Sequence, residues 1–403
     1  MGRAAKGEGS IFAVEKGYRG YITVNGRRKY ASGTKKTEVA QKLRELKNQR
    51  DNGVLSLERS PKLSTWIAHW MKATETNHKL KTHADYQRII ERYLPGWLGD
   101  ITLAKLTPEH LEDAYAAMRD KGLSGATAYQ LHSIIRASLT LAQKRGRVPV
   151  NVALRVVSPP VAEKKKVTPF SERDLAAIYQ VLAESRSKAR FTWALELGPR
   201  PGEALGVEWP SIDFDEGSIL LCQQIQTIDG KLRLVKYTKT DDKDAPDYRK
   251  QPLPGYLADL FREQREMQLR EMSRASRWEQ WRDPDEPEGT VHAFVFTSAR
   301  RPGRPITPKG DYEQWGNILT AAGLPHAKPY TARHTAASRM IAAGIDLAVV
   351  ADILGHSVKV LMSTYTHALE ERKQAAARIL EAGWNAPYSA PYRSSSMHPA
   401  ATP

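Results

Sequence analysis

With 403 residues, 41% of them hydrophobic and 26% charged, the chain has length for roughly two to three soluble domains, each able to bury its own core. Lys and Arg number 61 against 45 Asp and Glu, a formal charge of +16, and such an excess points to a polyanionic partner because phosphate contacts release counterions. One cysteine excludes a disulfide framework and a thiolate metal site. No apolar run approaches the ~20 residues of a membrane span. The start has no apolar signal core, and Lys6 breaks a myristoylation pattern, so a cytoplasmic protein with no membrane partner is expected.

Residues 1–56 open with alternating stretches at Ser10–Val14, Tyr18–Val24 and Arg27–Ala31, and Asn25-Gly26 is a type I′ hairpin signal. Val39, Leu43 and Leu46 then recur at helical spacing. A three-stranded sheet backed by one helix is predicted. Its strands carry Arg19, Arg27, Arg28 and Lys29 among Tyr18, Tyr21 and Tyr30. A small basic sheet of this kind can enter a major groove; the alternative is a solvated charged face.

Residues 61–158 read as all helix. Trp66, Ile67, Trp70 and Met71 form one apolar stripe, and Tyr86, Ile89, Ile90 and Tyr93 form a second, closed by Pro95-Gly96. Thr107-Pro108-Glu109 joins an N-cap to a proline at the first helical position. Leu131, Ile134, Ile135, Leu139 and Leu141 mark a further helix that ends near Lys144–Arg147. These stripes are core, whereas Lys79, Lys81, Arg88 and Arg92 meet either nucleic acid or water.

Ser158-Pro159-Pro160 and Glu163–Lys166 read as an extended linker. Residues 167–385 then mix helices, the first capped by Ser171, with short strands near Ser218–Gln224, Leu232–Tyr237 and Ala293–Thr297. Residues 257–282 are predicted as one long charged helix, Asp283–Gly289 as a solvated acidic turn, and Cys222 as a buried strand residue. Residues 386–403, rich in Pro, Ser and Ala, are expected to be disordered. The fold class is therefore multidomain and mainly α with small β-sheets.

Four pieces of the third block answer one chemical demand. Leu197–Leu205 sets Arg200 on a bend after Gly198-Pro199, with Glu203 three residues on to orient it. Tyr237–Thr240 puts Lys239 after a strand, and Tyr330–Ala337 starts a helix with Arg333 and His334. Leu354–Ser357 projects His356 from a turn between an Asp346-capped helix and a segment reaching Tyr365 nine residues later. Attack on a phosphodiester builds negative charge that guanidiniums clamp in bidentate fashion. A phenol, with a pKa of about 10, needs activation to act as a nucleophile. A lysine can protonate the departing 5′ oxygen, and His356 and Tyr330 can add hydrogen bonds.

On these motifs the third block resembles the catalytic domain of the tyrosine recombinases, the phage integrase family. The resemblance implies that Arg200 and Arg333 bind the scissile phosphate, that Glu203 supports them and that Lys239 is the general acid. It further implies that His356 is a phosphate ligand and Tyr365 the nucleophile, with no metal, ATP or other cofactor. More weakly, residues 61–158 are similar to the family's all-α core-binding domain and residues 1–56 to its arm-binding domain, leaving 167–385 as the mixed α+β catalytic domain. Arg19, Arg27, Arg28, Lys29, Lys79, Lys81 and Arg88 are then candidate DNA contacts. The implied partners are double-stranded DNA at core and arm-type sites and a homotetramer on that DNA, within the nucleoid of a bacterial host. A host bending factor and a directionality factor are further candidates, and the helix Ala368–Leu380 with the tail is a candidate contact to a neighbouring subunit.

The family pattern has His-x-x-Arg-His, and here its first position is Tyr330. A phenol donates a hydrogen bond but is neither cation nor base near neutral pH. Tyr330 is also a second phenol, although its place ahead of the arginine-bearing helix argues against it as nucleophile. The 11 histidines show no metal-ligand spacing; His334 reads as a residue packed beside Arg333, and His367 as support for Tyr365. Two rival readings are a type IB topoisomerase-like enzyme and a DNA-binding or architectural protein with a decayed active site.

Overall fold

Period-two alternation at the start builds β1 (Ser10–Val14), β2 (Gly17–Val24) and β3 (Arg27–Gly33), an antiparallel sheet in that order. The computed structural model describes residues 10–24, 27–51, 60–161, 167–236, 248–365, 373–374 and 376–382; Asn25-Gly26 of the expected turn lies outside them. One face of the sheet puts Ile22 and Val24 against Val39 and Leu43 of α1 (Lys36–Asp51). The other face carries Tyr21 opposite Tyr30 and Thr23 opposite Arg28. There the guanidiniums of Arg19 and Arg28 lie 4.4 Å from the rings of Tyr30 and Tyr21 respectively. Lys29 pairs with Ile22 and so belongs to the opposite face.

The helical block consists of α2 (Leu63–Ala73), α3 (Leu80–Tyr93), α4 (Pro108–Asp120) and α5 (Gly125–Lys144). Trp66, Ile67, Trp70 and Met71 are buried with Ile89, Leu131, Ile134, Ile135 and Leu139 in one core. The Trp66 indole donates to the Ser138 carbonyl at 2.9 Å, tying α2 to α5. Thr107 caps α4 as its Thr-Pro start requires, with His110 completing the reciprocal bond. Lys81 and Arg88 both pair with Asp85 on the exposed side of α3. These elements and the first sheet fall in one unit, Met1–Lys165, and the remainder in a second, Lys166–Pro403.

In the second unit, Ser171 caps α6 (Glu172–Ala183), followed by α7 (Lys188–Glu196) and α8 (Pro201–Gly206). The strands are β4 (Ile212–Asp213), β5 (Ser218–Leu221), β6 (Gln224–Ile228), β7 (Lys231–Val235) and β8 (Arg249–Pro252). Two antiparallel sheets result, β4-β5-β8 and β6-β7. Then come α9 (Gly255–Arg274), α10 (Pro308–Ala321), α11 (Tyr330–Ala342), α12 (Leu347–Leu354) and α13 (Val358–Thr364). The main core gathers Trp193, Leu205, Ile219, Phe261, Val295 and Leu354. No single helix among the described residues is long and apolar enough to cross a membrane.

Five local expectations are corrected. The stretch 218–224 is two strands in two sheets, and Cys222 sits half-buried between them. Gln223 causes the break by turning its amide onto the Gly206 carbonyl and Glu208. Residues 294–297 are buried, but the stretch 293–297 forms only single bridges, Glu208 to Phe294 and Thr297 to Pro305, because Val207 and Ile306 cross it too briefly for a ladder. The charged helix ends at Arg274, eight residues early, where Ala275 turns extended and the chain runs inward to bury Trp281. The Asp283–Gly289 turn is solvated at most positions but not at Asp283 and Glu286. Asp283 is buried, accepting from the Leu234 amide (2.6 Å) and Arg233 (3.0 Å), while Glu286 bonds His292 and Lys236, so β7 is anchored to this loop.

Between α7 and α10, Arg190 and Asp311 form an ion pair at 2.9 Å with both side chains buried. Breaking such a pair strands a charge without water or partner. Asp311→Ala is expected to cost roughly 3–5 kcal/mol of stability, read from urea unfolding of the full chain. A loss close to zero would show that water enters to solvate Arg190.

Candidate active site

Gly198, at φ +59°, ends the α7 turn in a conformation that favours glycine. A Cβ there would press on the Arg333 backbone and the Leu354 side chain. Pro201 then starts α8, leaving Arg200 at its N-cap. The Arg200 amide and guanidinium both donate to Glu203, at 2.9 and 2.6 Å, and its Nη2 donates to the Gly355 carbonyl at 2.7 Å. Glu203 is 0% exposed. Its second oxygen takes Arg249 Nη2 at 2.7 Å. Burial alone would push its pKa up, but Arg249, Arg200 and Arg333 together hold it below the usual carboxylate range.

Arg333, four residues into α11, is also 0% exposed. Its Nη1 donates to the Gly198 carbonyl at 2.6 Å, and its Nη2 donates to the Leu354 carbonyl and, at 2.8 Å, to His356 Nε2. Burial and then Arg200 lower its pKa to about 10, which leaves it charged near neutrality. Asp346 caps α12 and Gly355 ends it at φ +62°, so His356 leaves the helix on a fixed turn. Burial, followed by Arg333, Arg200 and Arg249, drives the His356 pKa down to about 3. A neutral imidazole that accepts at Nε2 carries its proton on Nδ1.

Tyr365 is the C-cap of α13 and only 1% exposed. Burial raises its pKa well above an ordinary phenol's, against the pull of Arg333. His334 packs between the two phenols, its ring 5.2 Å from Tyr330 and 5.5 Å from Tyr365. Burial and Arg333 lower the pKa of His334. Tyr330 is partly exposed at the start of α11, with the Arg333 guanidinium 5.9 Å from its ring centre.

Arg200, Glu203, Arg333 and His356 are thus joined by hydrogen bonds through the turn Leu354-Gly355-His356, with Tyr330 and Tyr365 at their edge. Arg200 Nε, Arg333 Nε, His356 Nδ1 and the Tyr365 hydroxyl are buried without a hydrogen-bond partner among the described residues. Lys239 lies outside the described residues, as does His367. No group of three or more His, Cys, Asp or Glu side chains among the described residues could hold a metal ion.

Two residues of the cluster have no counterpart in the sequence reading. Arg249 donates to Glu203 and to the Leu354 carbonyl, at 2.7 Å each. Gln251, fully buried two residues on, donates to the carbonyls of Leu197 (3.0 Å) and Ile353 (2.8 Å) and accepts from the Trp193 indole. In β8 the inward Arg249 and Gln251 alternate with exposed Lys250 and Pro252, but three polar residues and a proline carry no apolar alternation by which the sequence could have marked them.

The profile of the phage integrase family matches residues 169–372. An integrase of Saccharopolyspora erythraea is 25% identical over 441 residues, covering 95% of this chain and 98% of that protein. A XerC-like tyrosine recombinase of Caldanaerobacter subterraneus is 26% identical and covers 90% of this chain and 95% of that one. Among solved structures, the Tn1549 transposon integrase in complex with circular intermediate DNA matches at TM-score 0.62 and 17% identity, over 76% of this chain and 95% of that one. A lambda integrase dimer bound to a core site matches at TM-score 0.54 and 17% identity, over 88% and 93%. The chain belongs to the phage integrase family. It is a site-specific recombinase of the tyrosine type.

His356 stays neutral in the folded chain down to about pH 3 but takes a proton below 6.5 once exposed. Between those values the unfolded state binds the extra proton, so this contribution to stability is lost as pH falls through the window. Urea unfolding should show lower stability at about pH 5 than at about pH 7.5, with His356→Gln flattening the difference. An unchanged slope in the variant would mean that His356 is solvated in the folded chain.

Proposed function

We propose that the chain integrates or excises a phage or other mobile element by cutting and rejoining double-stranded DNA through a 3′-phosphotyrosine ester on Tyr365. The observation that carries this reading is the set of four unpartnered polar atoms on Arg200, Arg333, His356 and Tyr365, buried around one turn. Buried donors without partners are costly, and a phosphodiester oxygen supplies the missing acceptor. Arg200 and Arg333 then clamp the scissile phosphate, and His356 donates to it from Nδ1 as a neutral imidazole. Glu203 holds Arg200 in place, the carbonyls of Gly198 and Leu354 hold Arg333, and Tyr330 adds a hydrogen bond at the rim.

In the chemical step the Tyr365 oxygen bonds phosphorus as the phenol passes its proton to a nonbridging phosphate oxygen and thence to water. The bond from phosphorus to the 5′ oxygen breaks, and Lys239 supplies the proton that makes the free 5′ hydroxyl. The ester retains the energy of the broken bond, so resealing needs neither ATP nor metal. Residues 167–385 perform this chemistry, residues 61–158 grip the core site, and residues 1–56 bind arm-type DNA through the Arg19, Tyr21, Arg28 and Tyr30 face. Lys29, Arg27, Lys79, Lys81 and Arg88 would add phosphate contacts. Four copies assemble on the DNA, in keeping with the lambda integrase tetramer bound to a Holliday junction, a match at TM-score 0.52 and 15% identity over 86% of this chain and 95% of that one. The expected setting is the nucleoid of a bacterial cytoplasm. A decayed enzyme is not favoured, since Arg200, Arg333, His356 and Tyr365 are all present and Arg200, Arg333 and His356 are bonded together, and a topoisomerase-like enzyme is not favoured because the relatives matched are an integrase and tyrosine recombinases.

The attachment site can be mapped by recombination between plasmids and then built into a nicked duplex that traps the cleaved strand. Wild type in EDTA should become covalently joined to a 3′ end, and Tyr365→Phe should not. An adduct in Tyr365→Phe overturns the nucleophile, and a metal requirement overturns the mechanism. Arg333→Lys should lose about 100-fold or more in cleavage rate, because a lysine cannot reproduce the two-pronged clamp. Tyr330→His should remain active in the same assay, and abolished cleavage would assign that phenol a more specific part.

A further inference from the structure

Beside the residues that would touch the phosphate, a third guanidinium is built into the site. Arg249 opens β8, the strand that also carries Gln251, and its side chain is 9% exposed. Its two hydrogen bonds go to different parts of the cluster, the Glu203 carboxylate on α8 and the Leu354 carbonyl at the end of α12. Glu203 is therefore shared, Oε1 taking the Arg200 guanidinium and Oε2 the Arg249 guanidinium together with the Arg200 amide. Leu354 is shared as well, because its carbonyl also accepts from Arg333. Gly355 is pressed from the same side: a Cβ added there would overlap the Arg249 guanidinium and reach within 3.4 Å of Arg200 Nη1.

We infer that Arg249 is a positioning residue for the recombinase reaction, fixing Arg200 through Glu203 and His356 through the Leu354-Gly355 turn. Two physical effects follow from its place. With Arg249 present, Glu203 divides its charge between two guanidiniums, so Arg200 is held in register without being fully neutralised and keeps attraction for a phosphate. With Arg249 bonded to Leu354, the carbonyl end of α12 cannot rotate, and the turn that aims His356 stays in one conformation. Removing Arg249 lets Glu203 close onto Arg200 alone and frees one side of the turn. A displacement of about 1 Å in a catalytic group can cost on the order of 100-fold in rate. Arg249 also contributes to the low pKa of His356 and to the ionised state of Glu203, so it faces the same charges as the phosphate ligands.

The inference rests on the proposed phosphate-binding roles of Arg200 and His356, and the test separates the two. Full-length protein and the nicked duplex carrying the mapped site are mixed in single turnover, with duplex affinity measured by fluorescence anisotropy. Arg249→Gln should bind the duplex within a few-fold of wild type yet form the adduct about 100-fold more slowly. Arg249→Lys keeps the charge but reaches one partner instead of two, so its rate should fall between the others. Gly355→Ala should also be slow, and the double variant Arg249→Gln/Gly355→Ala no slower than the worse single, since both act through one contact. A purely structural part for Arg249 would lower the fraction of active molecules, seen as adduct amplitude and thermal midpoint, while leaving the rate constant at the wild-type value. That result, or rates in the double variant that multiply, overturns the inference. If wild type itself forms no adduct at Tyr365, the reading of the site fails instead.

Discussion

A carboxylate with no access to water sits among three guanidiniums, and the geometry of the site descends from that arrangement. Taking any of these ions out of water costs several kcal/mol, which only close pairing and additional hydrogen bonds can repay. Glu203 meets the condition for Arg200 and Arg249, one on each oxygen. Arg333 meets it differently, through the carbonyls of Gly198 and Leu354 and through His356. The positive charge exceeds the negative, so the cluster is complete as a scaffold and incomplete as a charge balance. The phosphate proposed to bind there would resolve that imbalance.

The fold serves this cluster by bringing segments far apart in sequence onto one strand. β8 is four residues long, yet its inward side chains fasten the end of α7, the end of α12 and the carboxylate of α8. Neighbouring parts of the second unit are secured in the same manner. Asp283 and Glu286 tie a loop to β7, and Arg190 with Asp311 locks α7 to α10. Buried ion pairs of this kind add little net stability against well-packed apolar residues, but they admit few alternative arrangements.

Much of the candidate site was legible because its residues sit on caps and turns, whose chemistry is local. Gly198-Pro199 before Arg200, Asp346 and Gly355 around α12, and Ser171 before α6 each declare themselves within a few positions. The apolar stripes of the helical block were legible for a similar reason, since period alone places Trp66, Ile67 and Trp70 on one buried face. What stayed hidden depends on distant partners. Arg249 and Gln251 lie in a polar, proline-ended tetrapeptide with no strand signature, and only their partners on α7, α8 and α12 make them core. Asp283 reads as a surface acid until Arg233 and the Leu234 amide are set beside it. The change of sheet at Cys222 is marked only by the polar pair Gln223-Gln224, which also suits a single strand with one face polar, and Gln223 acts as a breaker only through its bonds to Gly206 and Glu208.

Five of the hydrogen-bond acceptors that fix the arginines and Gln251 are main-chain oxygens, those of Leu197, Gly198, Ile353, Leu354 and Gly355. A peptide oxygen is indifferent to the side chain that its residue carries. Codon changes at Leu197, Ile353 or Leu354 can therefore alter packing without deleting a single acceptor, and the scaffold tolerates drift at those positions. Drift has no such freedom at Glu203, Arg249 and Gln251, where the bonding atom is the side chain itself. Constraint across the site is thus concentrated in a few polar side chains, while the backbone that meets them is shielded from most mutation.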